Sequence, residues 1–179
     1  MSRQYVLQVL SQTETYNVWV NKTLGPIPWW GLWPVSDSKH IVVSWDPAKT
    51  TMVSAKLRVD AIAVGISHLE IKVNDTRAIH LFWNVLEQGA KKMATSEDIS
   101  SLLLNGDNLF FANLWKNTGT ILEASVTFTA TLVIEFEGTA PATGEKPEWQ
   151  IWLETNWPLV AIGAGVVVLG GVAMGASSR

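Results

Sequence analysis

The chain has 179 residues, long enough for one well-buried domain plus an appendage. Its formal charge of -3 and pI near 5.6 argue against a nucleic-acid partner, which needs a basic face to displace counterions from phosphates. It has no cysteine, which excludes disulfides, thiolate zinc sites and cysteine nucleophiles, and only 16% of its residues are charged against roughly 25% in ordinary soluble domains.

The N-terminal stretch "MSRQYVLQVLSQTETYNVWV" lacks the unbroken apolar core of a secretory signal, because Gln4, Gln8, Ser11 and Gln12 interrupt it. The chain is therefore expected to be made without N-terminal export. Within that stretch "YVLQVL" and "YNVWV" read as candidate strands. The next segment, "GPIPWWGLWPVSDS" over residues 25–38, has no regular period. Its three prolines preclude a helix or a central strand and stiffen a connection that carries Trp29, Trp30 and Trp33. Three roles suit those rings: covering one end of the core, contacting a neighbouring protein or lipid headgroups, or stacking on sugar rings.

Between Gln4 and Gly138 the period is two rather than 3.6. "HIVVSW", "TMVSAKLRVDAIAV", "LEIKV", "AIHLFW" and "NLFFANLW" are further candidate strands. "ASVTFTATLVIEFEG" is the clearest, with Val126, Phe128, Ala130, Leu132, Ile134 and Phe136 on one face. Threonines, Val133 and glutamates occupy the other, as in a strand buried on one side. Asp98 is placed to cap a single helical turn, "ISSLLL", closed by Asn105 and Gly106. Eight short strands separated by Asn, Asp, Gly and Pro predict a sandwich or barrel.

The run "LEIKVNDTRAIHLFW", "EDISSLLLNGDNLFFANLW", "SVTFTATLVIEF" resembles galactose-binding-like jelly-roll domains over roughly residues 57–137. The positions that carry the resemblance are Asn74, Asp98, Leu103, Gly106 and Asn108. Asp75 stands where the family often has glycine. The resemblance implies an antiparallel jelly roll, and no sugar-binding or calcium-binding set carries over residue by residue. Single jelly rolls also build many viral coat proteins, so fold alone does not separate these uses.

"GTAPATGEKPE", residues 138–148, reads as a linker or stem. No charged residue lies between Thr155 and Ser178, and the 19 positions from Pro158 to Ala176 span about 28 Å as a helix, close to the hydrocarbon thickness of a bilayer. Pro158 suits a first helical turn, and Trp149, Trp152 and Trp157 suit the headgroup layer. Trp157, Pro158, Leu159, Gly163, Gly171 and Gly175 are assigned to the membrane anchor. Gly171 and Gly175 form a G-x-x-x-G pair, and Ala161 with Gly165 a second small-residue pair, which suits close helix packing in lipid. Arg179 gives a weak positive-inside signal, and a lone apolar segment at the C-terminus favours a tail-anchored topology.

Chemistry-bearing patterns are sparse. His40, His68 and His80 show no metal-ligand spacing, and His80 alternates with Phe82 as a hydrogen-bonded strand histidine would. Glu97, Asp98 and Asp107 are explained by capping and turns, with a calcium loop the lesser alternative. Asn21-Lys22-Thr23 and Asn74-Asp75-Thr76 are formal glycosylation sequons. No nucleophile elbow, phosphate loop or carboxylate pair stands out, so no catalytic residue, metal ligand or cofactor is assigned.

The expected architecture is all-β: a single jelly-roll-type antiparallel β-sandwich over residues 1–137, a linker or stem over 138–154, and one C-terminal transmembrane α-helix with a short tail over 155–179. The expected role is that of a non-catalytic, membrane-anchored structural or assembly protein, with a minor capsid or membrane-linking protein of a membrane-containing virus as one identity that fits. Its partners would be the bilayer and copies of itself or other subunits of a larger assembly. A surface-displayed carbohydrate-binding module and an accessory subunit of a membrane protein complex are the alternatives.

Overall fold

A computed structural model describes residues 10–117, 122–152 and 154–156. Residues up to Glu145 form one compact unit and those from Lys146 onward another.

The described residues of the first unit hold nine strands: β1 (Gln12–Ile27), β2 (Val35–Ser44), β3 (Thr50–Val64), β4 (Ser67–Val73), β5 (Thr76–Trp83), β6 (Lys91–Thr95), β7 (Gly106–Lys116), β8 (Ala124–Gly138) and β9 (Ala142–Glu145). They make two antiparallel sheets in the orders β1-β8-β3-β6 and β5-β4-β7-β2-β9. This is a β-sandwich. Strand 1 pairs with 8, 2 with 7, 3 with 6 and 4 with 5, an arrangement consistent with a jelly roll.

The core lies between the sheets. The expected inward face of β8 is buried from Val126 to Phe136, while its threonines and glutamates stay half-exposed. β3 and β7 alternate in the same way and interleave Leu57, Val59, Phe110 and Leu114 into the core. Trp19 is also buried, edge-on to Phe128 at 5.5 Å, and its indole N–H donates to Asp37 Oδ2 at 2.8 Å. A buried indole needs such a partner, and the hydrogen bond links β1 to β2 across the sandwich.

Antiparallel pairing puts the connections from β1 to β2, β3 to β4 and β5 to β6 at the same end: residues 28–34, 65–66 and 84–90. Gly65 makes the shortest of these crossings. Its φ is +80°, and a Cβ there would lie 2.0 Å from the Glu123 carbonyl oxygen, so only glycine fits.

Several expectations are revised. β1 is one bulged strand reaching back to Gln12, with register shifts near Asn17, Trp19 and Leu24. "YVLQVL" lies almost wholly outside the described residues. β6 was not foreseen, nor was β9, which falls inside the expected linker and pairs with β2 from Ile41 to Ser44. The turn after Asp98 is a 3-10 helix over Ser100–Leu102, and Asp98 Oδ1 accepts from the Ser100 N–H at 2.9 Å.

In the second unit residues 148–152 and 154–156 are helical, and Trp149 and Trp152 are exposed. No helix among the described residues is long and apolar enough to cross a membrane. The proposed anchor, including Trp157, Pro158, Leu159, Gly163, Gly171 and Gly175, lies outside the described residues.

Candidate functional site: a tryptophan-bearing end of the sandwich

The connection from β1 to β2 is a tight turn whose Gly31 N–H donates to the Pro28 carbonyl at 2.8 Å. Its aromatic side chains point away from the core. Trp29, Trp30 and Trp33 are 65%, 69% and 82% exposed, and Leu32 between them is 61% exposed. Covering the core is therefore not what these rings do in the folded unit. Pro26, Pro28, Trp30, Trp33 and Pro34 line a shallow hollow of about 180 Å³ at their base.

What holds the turn is Lys116, the last residue of β7. Its side chain is buried, and its ammonium donates to the Pro28 and Trp29 carbonyls at 2.7 and 2.8 Å. A buried cation is tolerable only when its N–H groups are satisfied, and here backbone oxygens do so. Behind the turn, Lys22 on β1 pairs with Asp37 on β2 at 2.9 Å. Burial alone would raise the Asp37 carboxyl pKa, but the Lys22 ammonium and the Trp19 N–H hold it below the ordinary value.

Beside this turn an aromatic row crosses the outer face of the five-stranded sheet. His68 on β4 faces Phe82 on β5 and Trp115 on β7 in register. The imidazole stacks between them, with ring centroids at 4.5 and 5.0 Å. His68 Nε2 lies 2.8 Å from Asn117 Oδ1, so that nitrogen carries a proton, and in the neutral pair His68 Nδ1 accepts from the His80 Nε2–H at 3.0 Å. Partial desolvation, then the neighbouring His68 and Arg77 charges, lower the pKa of His80, with Glu70 opposing. The strand histidine expected at position 80 is hydrogen-bonded, but to a second histidine that sequence spacing did not associate with it.

The residues that carry the galactose-binding-like resemblance do structural work at the opposite end. Asn74, at φ +47°, donates to the Leu102 carbonyl and to Asn108 Oδ1 and accepts from the Leu109 N–H. Asn108 is fully buried, accepts from the Leu104 N–H and donates to the Leu104 and Gly106 carbonyls. The Asn74 amide of the second sequon is thus already committed. Asp98 caps Ala55 and Ser100 N–H groups, which lower its pKa, and Leu103 is buried.

Asp107 pairs with His40 at 3.0 Å. Among the described residues no group of three or more metal-ligating side chains converges. A cleft of about 480 Å³ along the open side between β5 and β6 holds Arg77, His80, Glu97 and Asp98. A second hollow, of about 380 Å³, lies over Asn21, Asp60, Lys91 and Thr129 on the outer face of the other sheet.

No protein-family model matches the chain, and no curated protein matches it in sequence. Among solved structures, an FMN-binding beta-glucuronidase from Facaelibacterium prausnitzii L2-6 is similar over 66% of this chain and 23% of its own, at 14% identity and TM-score 0.37. A family two carbohydrate esterase from Cellvibrio japonicus is similar over 73% of this chain and 36% of its own, at 10% identity and TM-score 0.31. The infectious bursal disease virus Gx strain structure is similar over 86% and 49%, at 8% identity and TM-score 0.28. This chain spans less than half the length of each.

Proposed function

We infer that the protein is a non-catalytic structural or assembly module: a jelly roll, fixed to a bilayer through residues 155–178, that docks through its tryptophan-bearing end. The observation that carries this reading is the turn at 28–34, which holds three largely exposed indoles on a backbone fixed by the buried Lys116 ammonium. Fixing the turn before contact reduces the entropy lost on docking, so exposed apolar surface is available at little further cost. Exposed aromatic surface of this kind marks an interaction site rather than a packing error. The pairing of strand 1 with 8, 2 with 7, 3 with 6 and 4 with 5 supports the jelly roll. The uncharged C-terminal stretch supports the anchor.

A minor capsid or membrane-linking protein of a virus with a lipid layer unites these features. An accessory subunit of a membrane complex would share the anchor and the docking end. A surface-displayed carbohydrate-binding module is the second reading, favoured by the shallow hollow lined by Trp30 and Trp33 beside the exposed rings. The test is to purify the native protein from its source membrane or particle and identify what travels with it. Co-purification in a lipid-bearing assembly supports the structural reading. A lipid-free monomer that binds a glycan array, and loses binding on Trp29→Ala or Trp30→Ala, supports the second.

A further inference from the structure

We propose that the 28–34 turn is a second membrane contact, whose indoles enter the headgroup layer of the bilayer in which the C-terminal segment is anchored. This rests on the anchored reading above and names the partner of the same surface.

From Leu24 to Ser36 the chain carries no charge, and the flanking Lys22 and Asp37 neutralise one another at 2.9 Å behind the turn. The protruding part can therefore leave bulk water without stripping an ion. Indoles suit this boundary because an apolar ring and one N–H match a layer that is apolar below and wet above. Three rings of about 200 Å² each, roughly two-thirds or more exposed, offer about 400 Å². A stable protein interface takes about 800 Å² per partner. The turn alone falls short of that, whereas a membrane contact needs less when the same chain is already tethered. Residue 155 is ten positions beyond Glu145, so an anchored chain keeps the sandwich close to lipid at high effective concentration.

The 84–90 connection leaves from the same end of the sandwich and exposes Leu86 at 92%, beside Val85. It bridges β5 and β6, the strands at the side of the sandwich away from β1 and β2. A flat lipid surface can meet both projections at once.

The chain has no cysteine, so single cysteines report unambiguously. Leu32→Cys, Leu86→Cys and, at the other end, Lys49→Cys are labelled with an environment-sensitive fluorophore in the full-length protein, which is reconstituted in phosphatidylcholine vesicles containing shallow nitroxide lipids. The expected result is a blue shift and about twofold quenching at position 32, weaker quenching at 86 and none at 49. Equal, water-like signals at 32 and 49 on vesicles that float with the protein overturn the inference and leave the anchor standing. A blue shift at 32 without nitroxide quenching identifies a protein surface, such as a second copy, and also overturns it. Protein that fails to float removes the anchor, and this inference with it.

Discussion

The Lys116 ammonium lies 2.8 Å from the Trp29 carbonyl oxygen, so a buried cation at the end of β7 holds the backbone of the most exposed aromatic turn in the described sandwich. The lysine is 87 positions away in sequence, and the hydrogen bond is what turns a proline-rich connection into a fixed surface.

Lys116→Met keeps much of the side-chain volume but leaves the Trp29 carbonyl without its ammonium donor and the Pro28 carbonyl with the Gly31 N–H alone. The expected cost is about 1–3 kcal/mol in chemical denaturation. Hydrogen exchange at the Gly31 amide should rise further than exchange in β4 or β7.

Replacing Trp29, Trp30 and Trp33 by alanine removes surface that is exposed in the folded unit, so stability should change by no more than about 0.5 kcal/mol. Docking should be lost. A large fall in the melting temperature would return these rings to the role of core cover.

Asn108 carries four side-chain hydrogen bonds at full burial, joining the β4–β5 turn to the segment that leads into β7. The Leu109 N–H, donating to Asn74 Oδ1 at 2.9 Å, closes the same junction. Asn108→Ala is expected to cost about 2–4 kcal/mol, against about 0.5 or less for Asn113→Ala on the outer face. Equal effects would show that the junction is incidental.

The pKa of His80 lies below its ordinary 6.5 in the folded protein, chiefly through partial desolvation and then through the His68 and Arg77 charges. The unfolded chain therefore takes up this proton first as pH falls. The contribution of His80 to stability is complete above pH 6.5 and is lost as pH drops towards the folded value. Denaturation midpoints measured between about pH 7.5 and 5 should fall in the wild type and fall less in His80→Gln. Asp98 works in a lower window: its N–H partners on Ala55 and Ser100 depress its pKa, so its contribution is present above 3.8 and is lost on further acidification.

Much of the sandwich is legible in the sequence because one-sided burial forces alternation. Residues 124–138 show it without interruption, and all six expected inward positions from Val126 to Phe136 are buried. Where the physical cause is weaker, the pattern fails. The bulges in β1 shift its period, so residues 12–27 do not read as one strand. β6, "KKMAT", is a sheet edge without a fully buried residue, and β9, "ATGE", is four residues long and contains a glycine. Composition alone located the tryptophan turn. Its support did not show, because neither Lys116 nor the His68–His80 pair can be associated with its partners until strand register is known.

The central claim, that the sandwich is held at a bilayer by its C-terminal segment, is tested most directly by flotation of the full-length chain with vesicles after alkaline carbonate treatment. The wild type should remain with lipid, and a Val168→Arg, Leu169→Arg double variant should be released. Full-length protein that stays in the aqueous fraction without detergent would contradict the account.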